Sequence, residues 1–156
     1  MGGRLRYRDP GTRIYHLATE DIDVVCPRCG GRAFVIAESV DGELALFWPR
    51  RFVCPGCGRS VSPEAARRES CWGGPVDPYF GLPLWLRTTC CGGRTLWAFN
   101  LAHLELLEGH LAAELRERGT AGRGLTLIAR LPAWLKSARH RGEVLRALTR
   151  LRRSLD

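Results

Sequence analysis

VVCPRCGG (24–31) and FVCPGCGR (52–59) share one pattern: two cysteines with two residues between them, a proline after the first and a glycine after the second. Such a turn brings both sulfurs to one side of a tight knuckle. Two knuckles supply the four thiolates that a structural Zn²⁺ takes in tetrahedral geometry. Gly30, Gly31 and Gly58 permit the positive φ that lets backbone amides point at the sulfurs and offset their charge. The 24 residues between Cys29 and Cys54 suffice for a hairpin that returns the chain to the same ion. Cys26, Cys29, Cys54 and Cys57 are therefore expected to hold one Zn²⁺ per chain. A redox dithiol reading would need a single CxxC in a βαβ setting, whereas two matched pairs stand here among strand signals. With cysteine at all four positions, the ion keeps no place open for a catalytic water.

The residues around the pairs read as an α+β fold. Arg32–Ala37 suits a strand, Val40-Asp41-Gly42-Glu43 a hairpin turn and Leu44–Trp48 the returning strand. Ser62-Pro63-Glu64 can start a short helix through Arg68, with Ser62 as N-cap. Residues 71–83 are rich in Gly, Pro and aromatics, either a linker or an ordered loop on a core. Leu84–Thr89 and Thr95–Phe99 read as strands. Leu101, Leu104, Leu107, Leu111 and Leu115 make an apolar stripe on a helix expected from Leu101 to Arg118. Pro132 opens a short helix, and a last helix runs from about Gly142 to Arg153, with Val144, Leu148, Leu151 and Leu155 facing inward. The organisation expected is an arm at 1–21, a sheet unit at 22–62, a connection at 63–83, and a β-hairpin with helical body at 84–156.

CPRCGG…FVCPGCGR resembles a zinc ribbon of the type found in transcription factor IIB and in many bacterial proteins. The resemblance covers residues 22–62 and implies a three-stranded antiparallel sheet clamped by zinc at the four cysteines. Residues 78–108 and 131–148 are similar to the body of small bacterial zinc-ribbon proteins of unassigned function. That second likeness implies a shared architecture and carries no activity. Ribbons serve nucleic-acid binding and protein docking alike.

Charge favours the first of those roles. The formal net charge is +8. From Arg130 to Arg153, eight basic residues face Glu143 alone, an acid-poor segment suited to phosphates. Since 23 of the 24 basic residues are arginine, abundance by itself is weak evidence and distribution is the better guide. Arg146, Arg150 and Arg153 share one face of the last helix. Trp48 beside Arg50 and Arg51 combines an aromatic with cations, as base and phosphate contact requires. No stretch has the roughly 20 apolar residues of a membrane span. The N-terminus lacks a secretory apolar core, so a cytoplasmic protein is expected.

Cys91-Gly92-Gly93-Arg94 repeats Cys29-Gly30-Gly31-Arg32, which suggests a knuckle-like hairpin at 88–99 in which Thr88 stands where a first cysteine would be. Cys71, Cys90, Cys91 and His103 are candidates for a second, irregular metal site; the alternative is that these small cysteines pack a core. His103 and His110, seven apart, read as a polar or half-buried helix edge, while His16 and His140 stand alone. Trp85 and Trp97 read as core, and Trp72 and Tyr79 as surface contacts. No nucleophile set, P-loop or carboxylate pair appears. The leading expectation is a non-enzymatic, zinc-binding accessory or regulatory protein associated with nucleic acid. The rival is a docking module of a larger protein complex without nucleic-acid contact.

Overall fold

β-branched and aromatic residues flank both cysteine pairs, and each flank becomes a strand. A computed structural model describes residues 6–8, 14–66, 72–112, 115–117 and 131–156. In chain order the elements are β1 (Arg6–Arg8), α1 (Ile14–Leu17), β2 (Ile22–Val25), β3 (Arg32–Ala37), β4 (Arg50–Val53), β5 (Ser60–Val61), β6 (Leu86–Cys90), β7 (Arg94–Ala98), α2 (Leu101–Ala112), β8 (Leu115–Glu117), α3 (Ala133–Lys136) and α4 (Arg141–Arg153). Short 3₁₀ turns lie at Ala45–Phe47, Pro63–Ala65 and Ala138–His140. The fold class is mixed α+β, as the sequence leads one to expect.

β2-β3-β4-β5 is an antiparallel meander. It has four strands where three were expected, because each knuckle is closed by a strand on both sides. Val25 pairs with Arg32 across the first and Val53 with Ser60 across the second. The returning strand is Arg50–Val53 rather than Leu44–Trp48. Pro49 cannot donate to a ladder, so the apolar run before it folds into a 3₁₀ turn and pairing begins at Arg50, opposite Ala37. Gly42 supplies the positive φ, 81°, of the expected turn.

Alternation assigns the faces. Ile22, Val24, Ala33, Val35, Arg50 and Phe52 are buried, and Val35 stands opposite both Ile22 and Phe52. On the other face Arg32 pairs with Asp23 at 2.9 Å and stacks on Phe34. The Gly/Pro-rich stretch is an ordered loop from residue 72 onward. Asp77, buried, accepts the amides of Tyr79, Phe80 and Leu82 at 2.9, 2.7 and 2.6 Å. Three donors on one carboxylate hold the loop as strongly as charge-assisted bonds can. Phe80 meets Phe52 edge-on, and Trp72 packs against Tyr79 and Phe99. Tyr79 is thus core and not a surface contact, while Trp85 and Trp97 are half-buried.

The described chain divides into two compact units, residues 15–87 with 97–100 and residues 1–14 with 88–96 and 101–156. In the second, α2 packs on α4 and β1 pairs in parallel with β8. That pairing corrects the helix length: α2 ends at Ala112, and Leu115, which continues its periodicity, is a strand residue opposite Arg6. Arg6–Arg8, expected within a loose arm, is the other strand. The short helix after Ser62 is only a 3₁₀ turn through Ala65, without a side-chain cap, and Arg68 lies outside the described residues.

His103 and His110 are core rather than edge. They share the buried stripe of α2 with Leu104, Leu107 and Leu111, and Leu101 is exposed. Burial pushes the His103 imidazole down to about 4, from the ordinary 6.5. The unfolded chain therefore takes up a proton between these values that the folded chain refuses. Stability is full above about pH 6.5 and falls as pH drops toward 4, by about 3 kcal/mol for this group. Urea midpoints of the wild type and of His103→Gln, measured at pH 7 and pH 4.5, should converge as pH falls, because the variant lacks this proton uptake. A parallel decline in both would show that His103 does not titrate on unfolding.

Candidate metal centre

The meander decides where the sulfurs go. The turns β2–β3 and β4–β5 lie at one end of the sheet and the 38–49 loop at the other. The two knuckles are built alike. Gly30 donates to the Cys26 carbonyl and Cys26 to the Gly31 carbonyl, both at 2.9 Å. Gly58 and Cys54 make the corresponding bonds to Cys54 and Arg59 at 2.8 Å. Gly30 and Gly58 carry φ of 73° and 75°, a conformation that would strain any other side chain.

All four sulfurs lie within 4.8 Å of one another. Across the knuckles, Cys26 Sγ is 3.8 Å from Cys57 Sγ and Cys29 Sγ is 3.5 Å from Cys54 Sγ. Thiolates about 2.3 Å from a common tetrahedral ion stand about 3.8 Å apart, so the donor set fits one. The cradle is tight: a Cβ on Gly31 would lie 3.3 Å from Cys29 Sγ, and one on Gly56 3.7 Å from both Cys29 and Cys54 sulfurs. The Gly31 amide points at Cys29 Sγ at 3.4 Å.

Without a cation Cys26 and Cys29 ionise unequally. Burial lifts the Cys26 thiol, but the amides of Cys29 and Arg28 and the neighbouring sulfurs overcome it and bring Cys26 down to about 6. Cys29 is favoured as thiolate by Gly31, yet Cys54 and burial drive it up to about 11. Cys26 therefore loses its proton more readily than Cys29, and a divalent ion would displace the proton from the latter. The four-cysteine site can hold a metal ion through these residues, and the ion would tie the two knuckles together.

The other residues singled out in the sequence are dispersed. Cys71 lies outside the described residues. Cys90 and Cys91 are buried free thiols at the β6–β7 turn, and burial, with Cys91 beside it, pushes Cys90 up to about 12. The turn is not a knuckle. Cys91, Gly92 and Gly93 all carry positive φ, 53°, 77° and 91°, where the true knuckles leave the cysteine in ordinary backbone. The ligand-bearing neighbours of Cys91 are His140 and Glu143, neither of which the sequence singles out for metal. The signal was His140-x2-Glu143, one helical turn apart, but its partner lies 49 positions earlier in the chain.

Arg50, expected beside phosphate, is buried at 1% exposure. Its guanidinium donates to the carbonyls of Ala18 and Ala45 at 2.6 and 2.7 Å and lies 4.5 Å from the Tyr79 ring, so it is spent inside. Trp48 donates to the Glu43 carbonyl and Arg51 to Glu38. Arg146, Arg150 and Arg153 are exposed on α4. Comparison with family models, curated proteins and solved structures returned no match.

If the metal and the meander fold together, Cys54→Ser should lose one metal equivalent per chain. Chelation should disorder the four-stranded sheet while the α2–α4 helical signal persists, since that pair packs through leucines. Elemental analysis together with far-ultraviolet circular dichroism reads both. Loss of all helical signal on chelation would show one cooperative unit, and an unchanged metal content in Cys54→Ser would remove the site.

Proposed function

We propose that the chain is a non-enzymatic accessory protein, a Zn²⁺-stabilised zinc ribbon with a helical body, that binds the phosphates of nucleic acid along α4. The observation that carries the reading is the row Arg146, Arg150 and Arg153. All three are exposed, and none forms an ion pair among the described residues. At 3.6 residues per turn they lie within about 60° of one another, away from buried Val144, Leu148 and Leu151. Arg152 is different: it bonds Glu108 at 2.6 Å and reaches Glu105 at 3.7 Å. A cationic row on a rigid helix suits sequence-independent backbone contact. Zinc suits the thiolate donors and leaves no open position for chemistry when all four are bound. Free thiols at all six described cysteines suit a reducing compartment such as the cytoplasm. No described helix is long and apolar enough to cross a membrane.

A second reading, docking on a larger protein, is favoured by the 38–49 loop, where Leu44 and Phe47 are 72% and 67% exposed. One titration separates the two. Replacing Arg146, Arg150 and Arg153 together with Ser should weaken binding to DNA or RNA without altering the fold, and should flatten the dependence of log K on log salt by up to about 3. No association at low salt would eliminate the nucleic-acid reading and leave docking.

A further inference from the structure

The helical unit brings a second set of metal donors together, from three places in the sequence. Cys91 stands in the β6–β7 turn, His140 ends the 3₁₀ turn before α4, and Glu143 is in the first turn of α4. Their thiol sulfur, imidazole nitrogen and carboxylate oxygen all lie within 4.8 Å of one another. We propose that Cys91, His140 and Glu143 form a second metal site, for a borderline divalent ion such as Zn²⁺, with one coordination position left to solvent.

Geometry and chemistry agree on this. The Cys91 amide donates to Glu143 Oε1 at 2.7 Å, which fixes the carboxylate beside the thiol and leaves its other oxygen for an ion. Such a bond to a ligating carboxylate is the usual outer-shell support of a metal site. Arg94 stacks over Trp134 at 5.7 Å, a further contact that holds the same turn against the helical segment. One sulfur, one nitrogen and one oxygen suit zinc or cobalt and disfavour calcium or magnesium, which take oxygen. Thiolate and carboxylate together carry two negative charges, enough to neutralise a divalent ion in a basic stretch that would repel a lone cation. Cys91 is buried, while Glu143 is exposed and His140 half-exposed, so an ion would bind at an open edge. Three protein donors leave a tetrahedral ion one position for water or an exchanging ligand, unlike the closed four-cysteine set.

The backbone supplies an unusual variant for the test. Cys91 is the described non-glycine residue with positive φ, 53°, a conformation glycine takes freely. Cys91→Gly therefore removes the thiol while easing the turn. The full-length protein, depleted of metal and titrated with Co²⁺, should bind two equivalents. The first gives the intense charge-transfer bands of four thiolates, and the second a weaker band from one. In Cys91→Gly and in His140→Ala the second equivalent should weaken by more than the roughly 10- to 100-fold that loss of an outer-shell partner costs. The first equivalent and the helical signal should stay as in the wild type, whereas Cys57→Ser should perturb the first alone. Saturation at one equivalent, or a second equivalent that survives both Cys91→Gly and His140→Ala, overturns the proposal.

Discussion

The register of β3 on β4 is the constraint from which the first unit follows. Val35 opposite Phe52 and Phe34 opposite Val53 bring the β2–β3 and β4–β5 turns to one edge, where the sulfurs meet. A slip of one residue would move each knuckle by about 3.4 Å along the strands and turn every inward side chain outward. The sulfurs cross the gap at 3.5 and 3.8 Å, so a slipped sheet could not share an ion. Hydrophobic pattern and metal geometry thus select the same register. In a sheet of short strands, each would be a weak guide by itself.

The far end of that sheet is held by polar groups taken out of water. Arg50 occupies an inward position where alternation calls for an apolar residue. Desolvation lowers its affinity for the proton, and no carboxylate bonds it among the described residues; the Ala18 and Ala45 carbonyls and the Tyr79 ring take that place. Tyr79 in turn donates to the Leu46 carbonyl at 3.0 Å, and its amide is fixed by Asp77. One cation, one ring and one carboxylate therefore link the turn after α1, the 38–49 loop and the 72–83 loop. A hydrophobe at 50 would save desolvation but leave the Ala18 carbonyl without the donor it has here.

What could be read from the sequence follows the range of the physics. The cysteine spacing, β3, the turn at Gly42 and the inward Val144, Leu148 and Leu151 of α4 are short-range signals, set by residues within one turn or hairpin of each other, and they emerge as expected, whereas Leu155 lies beyond the end of α4 and is half-buried. Most of the larger misplacements involve partners distant in the chain. Leu44–Trp48 looks like a strand until Pro49 is weighed against the ladder that β3 offers. Residues 115–117 look helical until Arg6–Arg8 pairs with them. Tyr79 and Arg50 look like surface recognition residues because nothing nearby in sequence shows that each covers the other. The cluster at Cys91 was hidden for the same reason: the repeat of CGGR pointed to a knuckle, whereas its neighbours come from the start of α4.

The arginines of α4 can be sorted by where the nearby acids are spent. Glu105 and Glu108 of α2 both turn to Arg152. Glu143, the lone acid between Arg130 and Arg153, turns its Oε1 to the Cys91 amide and so is not available to the outer row. Among the described residues Arg146, Arg150 and Arg153 therefore form no ion pair, which overall arginine abundance would not by itself bring about. An exposed pair such as Arg152–Glu108 adds little to stability; its effect is instead to remove one arginine from the field and leave three aligned on a single face. Uncompensated like charges one helical turn apart repel by a few tenths of a kcal/mol per pair, a cost that an anion laid along the helix would reverse.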